Sequence, residues 1–209
     1  MSRVEPNQRE IVGYSFTDDA KKSAWIDLVH SIAKWVEDNN LSNEVIFHGT
    51  SNTRADDILE NGMVPTDIIH AIAAGSFNDA GSFWGDIHTA AAYAEDTVAE
   101  RDPGSEPVIL MANVPDLEAE FQLLPDLATL DFPMKGLTKL DDQAVYDNWI
   151  NNHRTLAWQQ SLAELGAIIA VHDEPLPPAY IQDIRTKADF EAMFHSKQVI
   201  ESAVLSACL

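Results

Sequence analysis

The segment Pro107-Val108-Ile109-Leu110-Met111-Ala112-Asn113-Val114 constrains the fold of this chain more than any other. An apolar run this short, bounded by turn residues, reads as a strand. Around it, strand and helix signals alternate. Trp25, Leu28, Val29, Ile32, Trp35 and Val36 recur at three- and four-residue steps and predict an amphipathic helix over 20–38, ended at Asn39-Asn40. Glu44-Val45-Ile46-Phe47 predicts a short strand, and Thr53 with Asp56 is the expected cap of a helix that Gly62 stops. Residues 67–85 are expected to be a loop with at most a short helix at 68–73, 89–98 a helix and 101–107 a turn. Residues 116–152, with two prolines and many aspartates, are expected to form an insertion or a cover, with helical turns at 143–149. An ordinary surface connection is the bland alternative. A helix over 155–165, a buried strand over 167–171, a break at Pro177-Pro178 before 180–184 and a helical tail over 188–204 complete the reading.

The chain's 209 residues suit one domain, and 45% hydrophobic residues give it enough apolar surface to fold. With 34 acidic and 13 basic residues, the formal charge of -21 would repel a phosphate backbone or an anionic membrane. A small molecule or a basic protein remains open as a partner, as does acidity for solubility alone. Cys208 is the single cysteine, so no internal disulfide or cysteine-based zinc site is expected, and a reducing, cytoplasmic setting fits. No apolar leader core or spanning stretch is read, so membrane insertion is not expected. His30, His48, His70, His88, His153, His172 and His195 form no ligand pair at helical spacing, so no metal is expected, and His172-Asp173-Glu174 reads as a turn.

Val45-Ile46-Phe47-His48-Gly49-Thr50-Ser51 resembles the first NAD-binding motif of the ADP-ribosyltransferase superfamily, of the poly-ADP-ribose polymerase and diphtheria-toxin type. Gly81-Ser82-Phe83-Trp84-Gly85-Asp86, followed by Thr89-Ala90-Ala91-Ala92-Tyr93-Ala94, is similar to that family's glycine-aromatic strand and its helix ending in tyrosine. The resemblance covers about 44–185 and leaves the first and last helices as accessories. It implies an α+β fold with a split, mostly antiparallel β-sheet around a cleft, flanked by helices.

NAD as co-substrate is the implied ligand. By resemblance His48 holds a ribose, Gly49 the nicotinamide amide, Thr50 or Ser51 nearby oxygens, and Phe83 with Tyr93 the ring faces, with Trp84 as the alternative to Phe83. The residue types suit these roles: a histidine at a strand end can bond a hydroxyl, glycine lets backbone approach a ligand, and aromatics stack. Phe83 stands where the family usually has tyrosine, keeping the ring and losing a hydroxyl. Arg54 is placed to reach the pyrophosphate, or is an exposed arginine at a helix start.

The family's third element is an acidic residue at or just before a late strand. In Trp158-Gln159-Gln160-Ser161-Leu162-Ala163-Glu164-Leu165-Gly166-Ala167, Glu164 is the first candidate and Gln160, four residues earlier on the same helix face, the second. A glutamine there could bind a ribose hydroxyl but not serve as a base. The implied reaction is loss of nicotinamide through a transition state with oxocarbenium character and transfer of ADP-ribose to an acceptor, a protein ahead of a small molecule. Short bacterial, phage or toxin-like transferases of this kind exist in the family. The competing reading is a module of the same fold that binds NAD or a protein without turnover.

Overall fold

The computed structural model describes residue 16 and residues 18–67, 80–125 and 157–193. The helices expected at 68–73 and 143–149, most of the 116–152 segment, Cys208 and the tail beyond 193 lie outside the described residues.

Helix α1, Asp19–Asp38, begins where the Asp18 carboxylate accepts from the backbone of Ala20 and Lys21. It buries Trp25, Leu28, Val29 and Ile32, four residues of the expected stripe. β1, Val45–Ser51, carries the His-Gly-Thr segment. α2, Asn52–Asn61, is capped by Ser51, whose hydroxyl accepts from Arg54 N–H, and not by Thr53 as expected. The strand's last residue is thus also the helix's N-cap. Gly62 ends α2, as its sequence suggests.

β2, Thr66–Asp67, and β3, Ala80–Gly85, replace parts of the loop expected from composition, β3 falling where the resemblance implies a glycine-aromatic strand. α3, Ile87–Asp96, starts two residues earlier than expected because Asp86 caps it, accepting from Thr89 N–H at 2.7 Å. It then widens into a π-helical turn, Thr97–Arg101.

β4, Pro107–Asn113, forms as expected. α4, Val114–Glu120, and β5, Gln122–Pro125, correct the expectation of an insertion from 116: this stretch is part of the framework, since β5 pairs along β6. α5, Trp158–Leu165, leads through Gly166 into β6, Ala167–Val171, and β7, Gln182–Ile184, follows a 3-10 turn at Pro178–Tyr180. A further helix, α6, is described over 187–193.

The strands form one antiparallel sheet in the order β5-β6-β3-β1-β4-β7, with β2 paired to β3. β1 runs beside β4 from Val45↔Asn113 to Ser51↔Pro107, and β3 runs beside β6 from Gly81↔Val171 to Gly85↔Ala167. β1 and β3 meet only at Phe47↔Gly85. The sheet is therefore split into two halves that part from this one pair. The protein has the expected α+β fold, with a split antiparallel core and flanking helices.

Alternation along β1 and β4 fills a core on each side of the sheet. Ile46, Val108, Leu110 and Ala112 join Trp84, Ile168 and Leu176 on one face. Val45, Phe47, Ile109 and Met111 meet α1 and α3 on the other. The uninterrupted apolar run of β4 follows from this double burial. α1, expected as an accessory, contributes four buried side chains to the second core.

Candidate functional site

Where β1 and β3 part, a cleft of about 530 Å³ opens, within the range of small-ligand sites. His48, Gly49, Thr50, Arg54, Phe83, Trp84 and Tyr93 all line it, so the fold gathers most of the sequence-predicted residues in one place. From His48 onward the β3-facing edge of β1 lacks a strand partner among the described residues, leaving backbone N–H and C=O groups on that edge for a ligand.

His48 spans the opening. Its Nδ1–H donates to the Phe83 carbonyl oxygen at 2.8 Å, across the parting strands. A carbonyl oxygen only accepts, so Nδ1 carries the proton and Nε2 is left as an acceptor. Burial holds the imidazole pKa below its ordinary value, against a smaller upward pull from the Phe83 carbonyl. At neutral pH, His48 is a neutral ring with a fixed tautomer. It lies 5.8 Å from the Trp84 ring.

Gly49 faces the opposite side of β1, where α3 crosses so closely that a Cβ would sit 1.7 Å from the Ala90 carbonyl oxygen. Glycine is required there for α3, and with it Tyr93, to reach the cleft. Val64 and Tyr93 are the exposed large hydrophobics among the described residues, 64% and 43% accessible, and both line the cleft. Exposed apolar surface gathered at one opening marks a place for a partner or ligand. Phe83 is half-buried against Ile169.

Trp84, read as either ring-binding or core, is core: it is 2% exposed, and its Nε1–H donates to Ser82 Oγ at 2.8 Å. Ser82 Oγ in turn lies 2.9 Å from His172 Nε2, and His172 Nδ1–H donates to the Glu174 carbonyl oxygen at 2.8 Å. The His172 turn was legible; its link to Ser82 was not, because the partners are 90 residues apart. Burial also lowers the His172 pKa.

Ser51 does not line the cleft. Its hydroxyl donates to Asp102 Oδ2 at 2.6 Å and caps α2, a scaffolding role. Gln160 and Glu164 share a helix face, as their spacing implies, but both are exposed and bonded to each other at 2.8 Å, and neither lines the cleft. The residue that lines it from the start of β6 is Ala167. Gly166 makes that turn in the left-handed conformation (φ 70°). Sequence reasoning also missed Arg101 and Asp57 in the lining. Among the described residues no cluster of three or more metal-ligating side chains occurs, and no helix is long and apolar enough to cross a membrane.

Half-buried His48 and buried His172 both make stability depend on pH. An unfolded chain takes up these protons near pH 6.5, whereas the fold resists them. The contribution is complete above about pH 7.5 and is lost as pH falls through 6.5 toward the lower folded values, at no more than about 1.4 kcal/mol per pH unit for each histidine. Urea unfolding at pH 8 and pH 6 checks this: wild type is expected to be less stable at pH 6. A His48→Gln, His172→Gln double variant with the same pH slope as wild type would refute it.

Compared with protein-family models, with curated proteins and with solved structures, the chain matches none.

Proposed function

We propose that the cleft binds NAD in the manner of the ADP-ribosyltransferases. The observation that carries this reading is His48, a neutral imidazole whose Nε2 remains an acceptor while Nδ1 is committed to Phe83. A ribose hydroxyl donates to such a nitrogen. Beside it, the open edge of β1 at Gly49 suits a carboxamide, which both donates and accepts, and Phe83 and Tyr93 offer rings to nicotinamide. Arg54 on the rim suits the pyrophosphate.

On this reading the chain is an NAD-dependent transferase: nicotinamide departs, positive charge develops on the ribose, and an acceptor, a protein ahead of a small molecule, takes ADP-ribose. A cytoplasmic setting would supply both substrates. A specific observation favours a second reading, binding without turnover. Gln160 and Glu164 stand outside the cleft, Ala167 occupies the start of β6, and Asp57 is the one carboxylate in the described lining.

Calorimetry with NAD, together with nicotinamide release in the presence and absence of cell extract, separates the readings. His48→Ala is expected to weaken NAD binding by about tenfold or more, the loss of one hydrogen-bonding group. Undiminished binding would remove the assignment. Glu164→Gln and Gln160→Ala are expected to leave affinity unchanged. If wild type releases nicotinamide and one of these variants does not, that residue regains the catalytic role; binding with no release in wild type establishes the second reading.

A further inference from the structure

We infer that Arg101 joins Arg54 in a two-arginine seat for a diphosphate, and that Arg101 makes the cleft select diphosphate-bridged dinucleotides over nucleosides. The inference deepens the reading of the cleft as an NAD site and rests on it for the identity of the dinucleotide.

The first ground is charge. Lys21 pairs with Glu106, Lys34 with Asp38, Arg185 with Asp56 and Asp183, and Lys187 with Glu191. Among the described cations this leaves Lys22, Arg54 and Arg101 without an ion pair, and the two arginines line the cleft. With 34 acidic residues against 13 basic ones, carboxylate partners are abundant in this chain. Two guanidinium groups without an ion pair at one opening thus set the cleft apart from the sites of Lys21, Lys34, Arg185 and Lys187.

The second ground is placement. Ser51 Oγ donates to Asp102 Oδ2 while accepting from Arg54 N–H, and Asn52 exchanges two hydrogen bonds with the backbone of Glu106, at 2.8 and 3.1 Å. The start of α2, which bears Arg54, is thereby tied to the turn that follows Arg101. Arg101 itself closes the π-helical turn, in which Asp102 N–H reaches back five residues to the Thr97 carbonyl. Such turns recur at functional sites because the extra residue redirects side chains. Two carboxylates stand nearby. Asp102 accepts from Ser51 and feels the charge of Arg54, and Asp57 accepts from Asn61 Nδ2 at 2.8 Å.

Guanidinium groups present paired donors that match phosphate oxygens. Two of them match the two charges of a diphosphate, whereas adenosine or nicotinamide engages neither. Arg101 is exposed, so its replacement should leave the fold intact, which the melting temperature verifies.

The test is calorimetry at low salt with ADP-ribose, inorganic pyrophosphate and adenosine on wild type, Arg101→Ala and Arg101→Lys. Arg101→Ala should weaken ADP-ribose and pyrophosphate by about tenfold, the scale of one charge-assisted contact, while changing adenosine by less than about twofold. Arg101→Lys should recover part of the loss. Undiminished ADP-ribose and pyrophosphate binding, an equal loss for adenosine, or no pyrophosphate binding by wild type overturns the seat. If NAD binds through His48 and Arg101→Ala has no effect, the seat fails and the NAD reading stands. If pyrophosphate binds through Arg101 and NAD does not bind, the seat stands and the NAD reading fails.

Discussion

Gly49→Ala is expected to cost about 3 kcal/mol or more of stability, beyond the effect of an ordinary surface change. The added Cβ would meet the Ala90 carbonyl oxygen at 1.7 Å, with the Ala90 carbonyl carbon and the Ala94 nitrogen both at 2.7 Å. All three are backbone atoms of a packed helix, so no rotamer change relieves the contact. Either α3 lifts off β1 or β1 bends away from β4, to which it is registered along its whole length. Lifting α3 also opens the core that it shares with α1, where Trp25 donates to buried Glu95 at 2.8 Å. For a chain of this size the melting temperature should fall by roughly 6 °C or more. A variant that melts with wild type would show that α3 does not sit on β1 as described.

Trp84→Ala is expected to cost about 3–5 kcal/mol, the range for removing a large aromatic side chain from a packed core. Trp84 is among the largest fully buried side chains and packs beside His48. Trp84→Phe separates packing from hydrogen bonding. It keeps most of the ring volume and removes the Nε1–H donor, leaving Ser82 Oγ to His172 alone. A cost nearer 1 kcal/mol is expected for it, the worth of one hydrogen bond. Equilibrium denaturation of the three proteins decides. Equal losses in both variants would mean that the hydrogen bond outweighs the packing.

β4 and the first half of β1 were legible because both faces of each are buried, which writes a short apolar run into the sequence; residues 48–51, which continue β1, carry no such run. α1 was legible from its stripe. From composition β3 read as loop, because Gly81, Ser82 and Gly85 have little intrinsic preference for strand, and only the resemblance marked it as a strand; its pairing with β6, which begins over eighty residues later, supplies what propensity does not. α4 and β5 were hidden for a similar reason, since β5 is defined by pairing and not by its own pattern.

In the cleft, His48, Gly49 and Tyr93 stood out because they lie in the two segments that carry the resemblance. Glu164 was chosen for its nearness in sequence to a strand. The left-handed turn at Gly166 intervenes, and the residue that reaches the cleft is Ala167, whose methyl group announces nothing. Arg101 could not be singled out at all. Its distinction is the lack of an ion pair, and the pairs of Lys21 and Arg185 are formed across 85 and 129 residues.

The split of the sheet also dictates an order of events during synthesis. β1 finds β4 once residue 113 has emerged, and that half of the sheet can begin to pair at once. β3 ends at Gly85, but its long-edge partner β6 begins at Ala167, and β7, the outer neighbour of β4, ends at Ile184. Roughly eighty residues must therefore be added while an apolar strand waits with an open edge, some seconds at ordinary elongation rates. The half that walls the cleft opposite His48 is thus completed only after Val171 has emerged, and for those seconds the nascent chain is most open to being captured by another copy of itself.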